Sequence, residues 1–114
     1  MRTMDVVLYK LPIIQGQEAV AEEWMEFLKA TPERVILELL SSEKAYYEAY
    51  FKNVEQGILI IYLVFSSEDV AKSNEIASNS NHSVDQKHFD YMKRCVDRDN
   101  VQMLQSVIQI NRWQ

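Results

Sequence analysis

The sequence predicts an α+β fold in which strands and helices follow one another as β-α-β-β-α-β, and three observations carry that expectation. Four runs are rich in β-branched and aromatic residues: Val6–Leu11, Ala45–Lys52, Ile58–Phe65 and Val101–Ile110. Two segments instead repeat their apolar residues every three or four positions, one after Gly16 and one from Ser83 to about Asp97. The chain has 114 residues, 47% hydrophobic and 25% charged, which suits a single globular domain spanning residues 1–114 with one core.

The first strand, Val6–Leu11, stops at Pro12, which has no N–H to give a ladder. In the first helix Val20, Trp24, Phe27 and Leu28 form the apolar stripe, and Glu18, Glu22, Glu23 and Glu26 form a solvated side. Thr31-Pro32 interrupts it, with Thr31 suited to an N-cap and Pro32 to the first helical position. A second helix through Leu40 should follow, or one bent helix. Asn53–Gly57 reads as a hairpin loop in which Gly57 takes a positive φ. Ser66–Asn81 is polar, with one or two helical turns around Asp69–Ile76. Ser83-Val84-Asp85-Gln86 has the capping-box pattern and should start the last helix, and Val101–Ile110 should close the sheet.

This order is the ferredoxin-like split βαβ arrangement, a four-stranded antiparallel sheet with helices on one face. Sorted by alternation, one set of hairpin side chains is Tyr47, Ala49 and Phe51 with Leu59, Ile61, Leu63 and Phe65. The other is Tyr46, Glu48 and Tyr50 with Ile60, Tyr62 and Val64. Neither set carries the charges of a solvated face, and helices can cover only one. A homodimer whose sheets pack face to face would cover the other; the competing solution is a monomer with a terminal segment folded over it. Trp113 is available as an exchanged dimer contact.

Several short motifs add to this: Trp24-Met25-x-Phe27-Leu28, Tyr47-Glu48-Ala49-Tyr50-Phe51, and His82 followed six residues later by His88. With the strand order, they resemble the dimeric α/β-barrel superfamily, and within it an uncharacterised family of small bacterial domains. That superfamily includes monooxygenases, lactone isomerases, haem-degrading enzymes and ligand binders, so the resemblance implies a pocket between sheet and helices more than a reaction.

Projected at 100° per residue, the last helix places Val84, His88, Met92, Cys95 and Val96 on one arc, flanked by Asp85, Phe89 and Tyr91. His88 is thus a pocket base or ligand contact, or a satisfied core histidine, with Asp85 one turn away to fix its tautomer. Glu48, mid-strand among tyrosines, is costly to bury unpaired. A hairpin centred near residue 55 would set it beside Tyr62, with Tyr46 and Tyr50 nearby. Toward the helices it would meet His88 and His82 as an acid–base pair or polar anchor; toward the dimer it would be a structural residue held by tyrosine hydroxyls. His88 and Glu48 are therefore the catalytic candidates, and Tyr62, Tyr46, Trp24, His82 and Asp85 the ligand-binding ones. Their spacing matches no metal motif, and no metal or other cofactor is expected.

The expected function is binding of a small, largely apolar ligand. The alternatives are a cofactor-independent monooxygenase or isomerase using His88 and Glu48, or a structural dimerisation module. A net charge of −5 disfavours nucleic acid. The longest apolar run, Ile58–Phe65, is too short to cross a membrane, and the N-terminus lacks a signal-peptide pattern. With Cys95 as the single cysteine, no internal disulfide can form, and a cytoplasmic location is expected.

Overall fold

A computed structural model of the chain describes residues 4–112, so Trp113 lies outside the described residues. The elements are β1 (Asp5–Pro12), α1 (Glu18–Ala30), α2 (Glu33–Ser42), β2 (Ala45–Glu55), β3 (Ile58–Ser67), α3 (Val70–Ser78), α4 (Ser83–Cys95) and β4 (Gln102–Gln105). A single 3₁₀ turn, Arg98–Asn100, precedes β4. The strands pair antiparallel in the order β2-β3-β1-β4, the ferredoxin-like arrangement, with α2 and α3 added to its two crossovers.

Local chemistry explains the boundaries. The Thr31 hydroxyl and N–H both donate to the Phe27 carbonyl, so Thr31 closes α1 and does not cap α2. Pro32 separates the two helices, and its carbonyl accepts the first bonds of α2 from Val35 and Ile36. The polar stretch after β3 holds a full helix, α3, because the Asp69 side chain accepts the Lys72 N–H as an N-cap. The cap of α4 is His82 and not Ser83: its Nδ1 accepts the Val84 N–H at 3.1 Å. The last strand is shorter than its composition suggested. β4 pairs with Val7–Lys10 and stops near the start of β1, leaving Val107, Ile108 and Ile110 exposed.

The hairpin corrects the parity sets above. Its turn is the two residues Gln56 and Gly57, with φ of 53° and 80°, and not a five-residue loop. The mirrored twist of such a turn matches the strands it joins. Glu48 therefore pairs with Phe65, Tyr50 with Leu63 and Phe51 with Tyr62. A slip of this kind exchanges faces. Glu48 and Tyr50 share the helix-facing side with Leu59, Ile61, Leu63 and Phe65, while Tyr62 joins Tyr47, Ala49 and Phe51 on the other.

The core lies between that helix-facing side and α1 and α4. Trp24 and Ala21 of α1 and Tyr91 and Cys95 of α4 meet Val7, Leu11, Leu59, Ile61, Leu63 and Phe65. Removing the Trp24 indole wholly from water contributes about 3 kcal/mol. The C-terminal end of α4 is tied to the end of β1, where the Ile14 N–H donates to the Cys95 carbonyl and the Asp97 N–H to that of Pro12. Among the described residues no helix covers the opposite side of the sheet, which exposes Tyr47, Phe51 and Leu104 by 48, 55 and 49%.

Candidate functional site

Between the sheet and residues of α1, α2, α3 and α4 a cavity of about 550 Å³ remains. Its wall is largely apolar, with Leu11, Leu39, Leu63, Phe65, Val84 and Met92 among the residues lining it. Sites for small organic molecules have this size and character. The polar groups in the wall include Glu43, Glu48, Tyr50, Asp85 and His88, with Lys93 and Arg98 exposed at the rim.

His88 is fixed by Trp24. The indole N–H of Trp24 donates to His88 Nδ1 at 2.9 Å, and the two rings lie 5.6 Å apart. An indole nitrogen only donates, so Nδ1 is unprotonated and the neutral ring carries its proton on Nε2. Burial lowers the imidazole pKa to about 4, with Asp85 opposing the shift. The side chain therefore presents an N–H donor. In this geometry the basic nitrogen of His88 is taken up by the indole N–H. Trp24, and not Asp85, sets the tautomer. Tyr50 completes the support edge-on to Trp24 at 5.9 Å.

The carboxylates come from three elements. Glu48 projects from β2 and accepts the Tyr50 hydroxyl at 3.2 Å. Burial raises its pKa and Asp85 raises it further, against the Tyr50 bond. Glu43 caps the C-terminal end of α2. Burial first, then the charges of Glu48 and Asp85, push its carboxyl up to about 7. The Tyr50 phenol is held well above its ordinary value by burial and by Glu48. Asp85, in the first turn of α4, is 8% exposed, and among the described residues no donor reaches its carboxylate.

Of the residues singled out in the sequence, Glu48, His88 and Asp85 meet at the cavity, and Trp24 supports it from the core. Tyr62, Tyr46 and His82 do not. Tyr62 lies on the helix-free side, where its hydroxyl donates to Glu55 and Lys10 pairs with the same carboxylate at 3.1 Å. Those two bonds lower the Glu55 pKa. Tyr46 sits at a bulge between Ala45 and Tyr47, outside the cavity wall. His82 is exposed and engaged in capping α4. Cys95 is enclosed, and burial pushes its thiol up to about 11. Among the described residues, no three His, Cys, Asp or Glu side chains are grouped to hold a metal.

Sequence reasoning missed Glu43. The signal was available: Ile36, Leu39 and Glu43 follow one another at three- and four-residue spacing, which puts the carboxyl on the buried stripe of α2. All three line the cavity.

Fold and site together define a ferredoxin-like domain with a cavity between its helices and its sheet. Within that class, the chain belongs to the family of unknown function DUF6176, which matches residues 4–112. The fold is similar to that of a dimeric ferredoxin-like protein from an uncultured marine organism, with TM-score 0.62 and 13% identity over 96% of this chain and 94% of the other. It is also similar to a candidate antibiotic biosynthesis monooxygenase from Bacteroides thetaiotaomicron, with TM-score 0.57 and 13% identity over 95% and 91% of the two chains. A conserved protein from Methanosarcina mazei is similar at TM-score 0.53 and 15% identity, over 88% and 89%. At such identities the likeness is one of fold. No curated protein matches the sequence.

Proposed function

We propose that the chain, acting as one domain, binds a small and mostly apolar organic molecule in the cavity between its helices and its sheet. The observation that carries this reading is the cavity itself: about 550 Å³ remains open inside a domain whose neighbouring core is closed around Trp24. A merely structural module would be expected to close such a space, because otherwise its apolar wall is left facing water. His88 Nε2–H and the carboxyls are the polar groups that orient the ligand; the apolar wall holds its body.

The protein acts as a cytoplasmic homodimer through the helix-free side of the sheet. That side exposes Tyr47, Phe51 and Leu104, and a structurally similar protein is a dimeric ferredoxin-like one. Among the described residues no helix is long and apolar enough to cross a membrane, and the acidic net charge of −5 gives nucleic acid no basic field.

The second reading is catalytic, and Glu43 favours it. A carboxyl near pH 7 in the same cavity wall as a fixed N–H donor is the pairing an isomerase needs to move a proton beside a carbonyl. The base is then Glu43 or Glu48, with His88 polarising the carbonyl.

Ile36 lines the cavity without being fully enclosed, so Ile36→Trp should narrow the site while leaving the fold intact. Saturable binding of 1-naphthylmethanol, read by calorimetry, should weaken about tenfold or more in that variant. Equal binding by Ile36→Trp, with its melting temperature unchanged, would place the ligand elsewhere.

A further inference from the structure

We infer that the ligand is a cation, an organic monoamine on an apolar body, with its ammonium at the acidic end of the cavity, where Asp85 lines the wall together with Glu43 and Glu48. This deepens the small-molecule reading of the same cavity and rests on it. Three carboxyl groups, from the end of α2, from β2 and from α4, line one cavity, and none of them is in an ion pair among the described residues. The ion pairs among the described residues use other acids: Glu55 with Lys10, Glu26 with Lys29, Glu22 with Lys52 and Asp90 with Arg94. Buried carboxylates are ordinarily paired, because desolvating an unpaired one is costly.

The second observation is Asp85. Its side chain lines the cavity at 8% exposure, and among the described residues it accepts no hydrogen bond. An ammonium has three N–H donors, which is what this end of the cavity lacks. The Tyr50 hydroxyl is already given to Glu48, and His88 offers one N–H. A metal ion is the poorer fit, since these side chains are not grouped as metal ligands and the space is far larger than an ion.

The rim sets the number of charges. Lys93 lies two helical turns beyond Asp85 on α4, about 12 Å along the axis, and Arg98 follows the end of the helix. Both are exposed and line the same cavity. A second ammonium reaching that end would meet two like charges, so a monoamine fits and a long diamine does not.

Proton release follows from the surroundings. Glu43 sits near pH 7 with Glu48 and Tyr50 of β2 and Asp85, His88 and Lys93 of α4 around the cavity, Tyr9 of β1 and Arg98 completing its ionisable groups. A bound ammonium favours ionised Glu43, so amine affinity should rise as pH increases through about 7 and then level off.

The test is calorimetry on the full chain at pH 8 with three probes on one naphthyl body: 1-naphthylmethylamine, the isosteric 1-naphthylmethanol, and 1-naphthoate. The amine should bind about tenfold tighter than the alcohol, with the carboxylate weakest. In Asp85→Asn and in Glu48→Gln, each checked for folding by the Trp24 indole NMR resonance, that preference should fall to about threefold or less. Glu43→Gln provides the same comparison if either variant fails to fold. Alcohol binding as tight as amine binding, or an amine preference that survives all three substitutions, would overturn the cationic ligand while leaving the cavity as a small-molecule site. Failure of all three probes to bind at millimolar concentration would overturn both.

Discussion

At the residue scale, opposing ionisations in one cavity govern the response to pH. His88 is held neutral, with its pKa lowered from 6.5 to about 4. The unfolded chain gains the proton first on acidification, so the stability from neutral His88 is complete above about pH 6.5 and is lost as pH falls toward 4. Glu43 has the opposite sign. Its pKa is raised from 4.5 to about 7, so its contribution is complete below pH 4.5 and is lost as pH rises through 7. Glu43→Gln should therefore stabilise the protein above pH 7, by on the order of 1 kcal/mol at this half-buried position, and give no gain at pH 4.5. Urea unfolding of the two proteins at pH 8 and pH 4.5 checks this; an equal effect at both values would show that Glu43 does not titrate as a buried group.

At the element scale, the β2–β3 hairpin decides which side chains enter the cavity. Gly57 has a φ of 80°, where a side chain is strained even though a Cβ there would meet nothing within 4 Å. Gly57→Ala should cost about 1 kcal/mol in urea unfolding without disturbing ligand binding. A stabilised Gly57→Ala would show that the turn takes another form. The same hairpin shows what was legible beforehand. Strand identity, Gly57 in its turn and the apolar stripe of α4 follow from local composition and period. The register did not, because Asn53, Val54 and Glu55 look like loop residues yet pair with Ile60, Leu59 and Ile58. That extension moves the hairpin centre past residue 55 and sends Tyr62 to the side away from Glu48. Likewise, the bond between Trp24 and His88 joins residues 64 positions apart and follows from no local pattern. His88 was visible on the wheel; its tautomer was not.

At the scale of the whole molecule, the two sides of the sheet differ in character. Its helix side encloses Glu48 and His88, and its other side exposes an apolar surface. Phe51 is 55% exposed on that surface and remote from the cavity wall. Light scattering at micromolar concentration should give a dimer mass for the natural chain and a monomer mass for Phe51→Glu, because a buried unpaired carboxylate at a sheet–sheet contact is costly. A natural chain that is monomeric there would remove the dimer.

The central claim is that the ligand sits on the helix side, and methyl NMR during titration with 1-naphthylmethanol tests it most directly. Leu11, Leu39, Leu63 and Val84 line the cavity, while Leu8 and Val64 lie on the opposite side of the sheet. The expected result is saturable shifts at the first four with Leu8 and Val64 unmoved. Shifts confined to Leu8 and Val64 would contradict a site between helices and sheet.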